Sequence, residues 1–168
     1  MPLSAPEPLA DTHEVAEFSS GVPSLEDWLK RRACGNQASG ATRTFVVAEG
    51  RCAIAYFAVA SGAISLGGAL GRFRRNRPDS IPVALLARLA IDRAWQGCGL
   101  GRALFRDCAV RIFHAADSIG IRGIVVHAIS EQAKVFYLAL GFEPSPLDPM
   151  TLMVTLSDVQ AIFGAPAR

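Results

Sequence analysis

Three glycines at alternating positions, Gly97, Gly99 and Gly101, mark the stretch best suited to chemistry. They follow an apolar run at residues 87–91 that reads as a buried strand, and they precede a helix-like segment at residues 102–118. A strand, a glycine turn and a helix make a phosphate-holding device. Glycine permits backbone conformations closed to other residues, so successive N–H groups can converge on one point. The first turn of the helix adds unpaired N–H groups at the positive end of its dipole. The spacing excludes two common phosphate binders. A nucleoside-triphosphate loop needs a lysine after its last glycine, and Arg102 stands there. A dinucleotide fingerprint needs G-x-G-x-x-G, and residues 102–104 hold no glycine.

Other reactive side chains are dispersed. Cys34, Cys52, Cys98 and Cys108 form no C-x-x-C pair and no cluster with histidine, so neither a metal site nor a disulfide framework is expected. Reduced thiols are the simpler reading. His13 and His114 have no partner in sequence, and His127 lies inside a strand pattern as a core residue. Asp92 follows the strand before the glycine turn, where capping that turn explains it better than a role as base. Trp95 packs beside the same turn.

The elements that must position these residues read as mixed α/β in one domain of 168 residues, with no repeats. Residues 1–22 are expected to be irregular. A helix opens at Pro23, with Ser24 as N-cap and Glu26 and Asp27 in its first turn, and runs to about Cys34, where Gly35 and Asn36 interrupt it. Residues 37–42 read as a loop, 44–48 as a strand, 49–51 as a tight turn and 52–60 as the hairpin partner, with 61–70 compatible with its continuation. Residues 71–79 form a basic, turn-rich loop. The helix after Gly101 places Leu104, Cys108, Ile112, Ala115 and Ile119 on one face and ends at Gly120. A second buried strand at 123–129 implies a right-handed crossover and parallel pairing. A short helix at 130–140 closed by Gly141, a turn at 142–146, a strand at 150–155 and a helix at 157–163 complete the chain.

No apolar run approaches the ~20 residues of a membrane span. No basic segment precedes an apolar one at the N-terminus, so a cytoplasmic protein is expected. The net charge of +2 conceals an asymmetry: residues 30–77 carry nine Lys or Arg against Glu49 alone, leaving eight basic and fourteen acidic residues elsewhere. Such segregation suggests a polyanionic partner.

Gln96-x-x-Gly99-x-Gly101 resembles the acyl-CoA pyrophosphate loop of the GNAT N-acetyltransferases, [RQ]-x-x-G-x-[GA]. Ser130-x-x-Ala133-x-x-x-Tyr137-x-x-x-Gly141-Phe142 resembles their later signature N-x-x-A-x-x-x-Y-x-x-x-G-F, with Ser130 in place of asparagine. The two motifs stand in the family's order, a helix and a strand apart. The resemblance implies a central mixed, mostly antiparallel sheet flanked by helices, with a splayed parallel strand pair at the cofactor site. It implies acetyl-CoA held by backbone at Leu89, Ala90 and Ile91 and by the turn residues Gln96, Gly97, Cys98, Gly99, Leu100, Gly101 and Arg102.

The run from Asp92 to Gly101, the segment 115–123, the Phe136-Tyr137 pair and residues 141–146 further resemble the GNAT toxins of bacterial toxin–antitoxin modules. Residues 24–29 and 36–40 fit them as well. That resemblance implies acetylation of the α-amino group of aminoacyl-tRNA, an arrest of translation, a cognate antitoxin of the ribbon-helix-helix type, and a toxin homodimer. Cys98 departs from the basic residue often found in this loop.

Within this resemblance Tyr137 supplies the proton for the leaving thiolate. A phenol near ~10 and an alkyl thiol near ~8.5 are close enough for that transfer. No carboxylate base stands out. An amine beside an ester carbonyl titrates below the free α-amino value of ~8, so water can take its proton, whereas a lysine near ~10.4 needs a base. The tRNA phosphates are expected at Arg72, Arg74, Arg75 and Arg77, and next at Lys30, Arg31, Arg32 and Arg93. The alternatives are a GNAT enzyme for a small amine or a protein N-terminus, and a non-catalytic acyl-CoA-binding module.

Overall fold

The apolar runs become strands of one sheet in the computed structural model, which describes residues 2–75 and 79–164. The strands are β1 (Glu7–Pro8), β2 (Arg43–Glu49), β3 (Cys52–Ile64), β4 (Ile81–Ile91), β5 (Gly123–His127), β6 (Glu143–Pro144) and β7 (Thr151–Thr155). Their order is β1-β2-β3-β4-β5-β7-β6. Pairing is antiparallel for β1–β2, β2–β3, β5–β7 and β6–β7, and parallel for β4–β5. This is the mixed, mostly antiparallel sheet with one parallel pair that was expected. The chain divides into two compact units, Met1–Ala60 with Ala87–Cys108 and Ser61–Leu86 with Ala109–Arg168.

In the first unit, helices α1 (Pro23–Arg31) and α2 (Ala33–Ala38) accompany β1 and β2. α1 buries Leu25, Trp28 and Leu29, the i, i+3, i+4 pattern of an apolar stripe. They join Phe18, Val46, Tyr56 and Ala90 in one core. The Tyr56 hydroxyl donates to Leu25 O at 2.7 Å, and burial pushes the phenol well above its ordinary pKa.

Three expectations for this unit change. Ser24 does not cap α1: Val22 is the N-cap, Pro23 takes the first helical position that its missing N–H suits, and Glu26 reaches back to accept from Gly21 N at 2.8 Å. The helix breaks at Arg32 (φ −121°), not at Gly35, and α2 runs through Gly35 and Asn36. The Asn36 amide donates to Arg32 O at 3.0 Å, so the residue expected to end a helix instead ties the second helix to the break. The N-terminal segment is also less irregular than expected, because β1 pairs with β2 and Leu3 and Glu14 make isolated bridges to Glu49 and Cys52.

In the second unit, β5 pairs along its whole length with β7, from Gly123 opposite Thr155 to His127 opposite Thr151. Helix α3 (Gly71–Arg74) occupies part of the stretch expected as loop, because Phe73 is fully buried and pins it. The approach is close: a Cβ on Gly123 would stand 2.3 Å from Val154 O and 2.5 Å from Phe73 Cζ. Helix α6 (Leu156–Phe163) is capped by Thr155, whose Oγ1 accepts from Asp158 N at 3.1 Å.

Helix α4 (Leu100–Ala116) starts and ends two residues earlier than expected. Leu104, Cys108 and Ile112 are buried, but Ala115 is exposed and Ile119, also exposed, lies past the helix end. Gly120 therefore caps nothing, and it is absent from the glycines with positive φ. β3, β4 and α4 each contribute residues to both units.

Candidate active site

β4 leads into the glycine turn. Its parallel register with β5 covers Ala84–Ile124 and Leu85–Val125, and β4 then runs on through Leu89, Ala90 and Ile91. A 3-10 turn, Arg93–Trp95, follows. Asp92 caps it: Oδ1 accepts from Ala94 N and Oδ2 from Ser19 N, both at 3.0 Å. Both oxygens are thus engaged with backbone amides, the capping role expected for this residue. Arg93 N donates to Ser19 O at 2.8 Å, and its guanidinium lies against Gly21, where an added Cβ would be 3.1 Å from Nε.

Gln96 holds the turn in place. Its Nε2 donates to Ile91 O and to Ser20 O, each at 2.8 Å. Two carbonyl acceptors fix the amide orientation, because only the nitrogen can serve both. Gly97 (φ +79°) and Gly99 (φ +84°) are in the left-handed region, and a Cβ at either would meet nothing within 4 Å. Backbone angle, not crowding, is what calls for glycine there. Cys98 is exposed and its thiol donates to Trp95 O at 2.8 Å. α4 begins at Leu100, so the turn stands at the positive end of a helix of 17 residues.

The second motif lies on helix α5 (Glu131–Ala139) in the second unit. Ser130 caps it, Oγ accepting from Ala133 N at 3.1 Å, so the serine does the work of an asparagine. Tyr137 is buried, edge-on to Phe136 at 5.1 Å and to Phe142 at 5.5 Å. Gly141 (φ +102°) ends the helix, and Phe142 N donates to Tyr137 O at 3.2 Å. Every fixed residue of the motif except Ala133's side chain thus has a local task in orienting this tyrosine.

A domain model described as "Acetyltransferase (GNAT) domain" matches residues 41–144. The chain belongs to the GNAT acetyltransferase family. This GNAT chain is 47% identical over 161 residues to a tRNA-acetylating toxin of Mycobacterium tuberculosis, covering 96% of this chain and 97% of that protein. It is 28% identical to a probable toxin TacT of Sinorhizobium fredii, over 94% of each. The fold matches a solved AtaT complexed with acetyl-methionyl-tRNA at a TM-score of 0.88 and 24% identity, covering 96% of this chain and 99% of that one. A tyrosine-to-phenylalanine variant of KacT matches with the same values.

The surface of the GNAT chain distributes its basic residues unevenly. Arg72 is bound up: Nη1 lies 2.6 Å from Asp158 and Nη2 3.1 Å from Glu143. Its hydrogen bond to Asp158, with the two carboxylate charges, raises its pKa further. Arg74 and Arg75 are exposed, and Arg77 lies outside the described residues. Lys30, Arg31, Arg32 and Arg93 are exposed.

Arg88 was not singled out in the sequence, because inside a strand pattern it reads as an interruption. Its guanidinium carbon stands 5.4 Å from the centroid of Trp28, and Nη1 donates to Ala87 O at 2.8 Å. With Ser24, Asp27, Trp28, Arg31, Arg32 and Asn36 it lines a cavity of about 490 Å³.

His127 departs from its expected core position. It ends β5 exposed, with Nδ1 2.9 Å from Thr151 Oγ1, and that hydroxyl donates to Asp148 at 2.9 Å. Bonds from Met150 N–H and the Thr151 hydroxyl hold the Asp148 carboxyl below its ordinary range. Among the described residues no three His, Cys, Asp or Glu side chains gather as a metal site. None of the described helices is long and apolar enough to cross a membrane.

Proposed function

We propose that this GNAT acetyltransferase transfers the acetyl group of acetyl-CoA to the α-amino group of aminoacyl-tRNA and thereby stops translation. Residues 1–168 act as one acetyltransferase domain in the cytoplasm, as a homodimer, and a ribbon-helix-helix antitoxin neutralises it. The observation that carries this reading is the 47% identity to a tRNA-acetylating toxin over 96% of the chain. Solved neighbours support it: one is an AtaT variant bound to the C-terminus of the antitoxin AtaR and acetyl-CoA, and another is a KacTA–DNA complex.

The residues fit the chemistry. Positive φ at Gly97 and Gly99, and the start of α4 at Leu100, suit the pyrophosphate of acetyl-CoA. Leu89, Ala90 and Ile91 lie on β4 past its register with β5, and their main-chain groups suit the pantetheine arm. Arg102, exposed on the first turn of α4, adds charge for the phosphates. The neutral amine attacks the acetyl carbon, the carbon–sulfur bond breaks, Tyr137 gives its proton to the sulfur, and water takes the proton lost by the amine.

The test is incubation with acetyl-CoA and charged total tRNA, followed by mass analysis of the amino acids released by hydrolysis. N-acetylated amino acids are expected from the wild type. Tyr137→Phe keeps the aromatic packing and removes the acid, so it should lose 10²-fold or more in turnover while folding normally. It should also relieve growth arrest in cells lacking the antitoxin. Unacetylated tRNA with the wild type, or full turnover by Tyr137→Phe, would refute this function.

A further inference from the structure

The cavity lined by α1, α2 and Arg88 of β4 has no task in the chemistry above. At about 490 Å³ it falls within the ~300–1,000 Å³ of small-ligand sites, room for one nucleotide. Its charged lining is Arg31, Arg32 and Arg88 against Asp27 alone.

The floor is a fixed stack. Tyr56 is anchored through its hydroxyl to Leu25 O. Trp28 lies on Tyr56 with ring centroids 5.8 Å apart and planes at 11°. Arg88 covers the indole in turn, and its bond to Ala87 O fixes the guanidinium. The guanidinium of Arg88 thus offers the pocket a flat face backed by the indole, a surface on which nucleobases stack.

One carbonyl at the helix end nearby is already engaged. The Asn36 amide already takes up the carbonyl of Arg32 at the break between α1 and α2. The exposed side chains of Arg31 and Arg32 are left to face an anion. Arg72, by contrast, is already held by two carboxylates.

Resting on the proposed tRNA substrate, we infer that this pocket seats one nucleotide of the tRNA. Arg31 and Arg32 take its phosphate, and the Trp28-backed guanidinium of Arg88 forms the platform for its base. The 3′-phosphoadenosine end of acetyl-CoA presents the same chemistry, so the test separates the two sources.

Full-length wild type, Arg31→Ala/Arg32→Ala and Arg88→Lys are each titrated with uncharged total tRNA between 50 and 200 mM salt, and with acetyl-CoA by calorimetry. Losing the one phosphate contact that the two arginines share should flatten the slope of log affinity against log salt by about 0.7–0.9. Arg88→Lys keeps the charge and removes the plane. It should keep the wild-type slope and weaken tRNA binding about fivefold or more. The acetyl-CoA dissociation constant should stay within twofold in both variants.

An unchanged slope in the double variant overturns the inference, as does wild-type tRNA affinity in a folded Arg88→Lys. Weakened acetyl-CoA binding with intact tRNA binding also overturns it, by assigning the pocket to the cosubstrate. Thermal melts establish folding. If Arg88→Lys unfolds, the exposed pair Arg31 and Arg32 decides alone. A wild type that binds tRNA through this pocket but acetylates none of it would end the proposed function and leave the pocket standing.

Discussion

Replacing Gln96 by leucine tests whether a single amide organises the glycine turn proposed to hold acetyl-CoA. The substitution keeps the side chain's bulk and removes two hydrogen bonds, to Ile91 O and Ser20 O, each 2.8 Å long. A neutral side-chain bond contributes about 1 kcal/mol net, somewhat more where the abandoned acceptor is shielded from water. One of these bonds is part-buried and one exposed, so the total is about 2 kcal/mol. That sum divides between two readouts. If the turn stays ordered, the loss appears in folding, as a fall of about 4–8 °C in melting temperature. If the turn loosens locally, acetyl-CoA binding must reorder it, and affinity drops by up to about 30-fold. Calorimetric titration with acetyl-CoA and a thermal melt of the same protein measure both parts. Gln96→Glu should be worse than leucine in each, because it sets carboxylate oxygens against two carbonyl oxygens. Affinity within twofold and an unchanged melt for Gln96→Leu would refute the anchoring role.

Two further outcomes follow from the second unit. Gly123→Ala should destabilise by about 3 kcal/mol or more, since its Cβ would meet Val154 O at 2.3 Å as well as Phe73. Phe73→Leu added to it should not restore stability, because the backbone oxygen remains; a Gly123→Ala protein that melts like the wild type would count against this packing. Burial raises the Asp158 pKa, but the Arg72 and Thr155 bonds and the charges of Arg72 and Arg122 outweigh it and hold the value below 3.8. A depressed folded value means stability that is present above about pH 3.8 and lost as pH falls through the folded pKa. Asp158→Asn should therefore be slightly less stable at pH 6, by a fraction of a kcal/mol for so exposed a pair, with the gap closing in acid. A gap that does not change with pH would contradict it.

The glycine turn and the Tyr137 helix were legible in the sequence because each is local. The positive φ of Gly97 and Gly99 and the Ser130 cap are written in consecutive residues. Of the sheet order, only the β2–β3 hairpin and the β4–β5 crossover were legible. The pairing of β1 with β2 joins residues nearly forty apart and rests on main-chain bonds that no side-chain pattern announces. The first helix opens at Pro23 as expected, but its cap and its end were misread for related reasons. Glu26, not Ser24, satisfies the amide of Gly21, and Asn36 serves the helix break through a side-chain bond to Arg32 O. His127 looked like a core residue because the strand before it is apolar. Its exposure comes from ending the strand, and its partner Thr151 comes from the β5–β7 register. Arg72 looked like a phosphate ligand until Asp158, eighty-six positions later, was found beside it. Arg88 was invisible as part of a pocket because Trp28 and Arg31 of α1 and Arg32 just past its end are brought to it from far along the chain.

Each compact unit is assembled from two separate lengths of chain, and the lengths alternate. During synthesis the first unit cannot close until residue 108 has emerged, and the second waits for the segment that begins at residue 109. A single cut after residue 108 leaves every residue of the first unit on one fragment but strips the second of its longer segment. The unit that holds the glycine turn can therefore close while most of the other is still to be made.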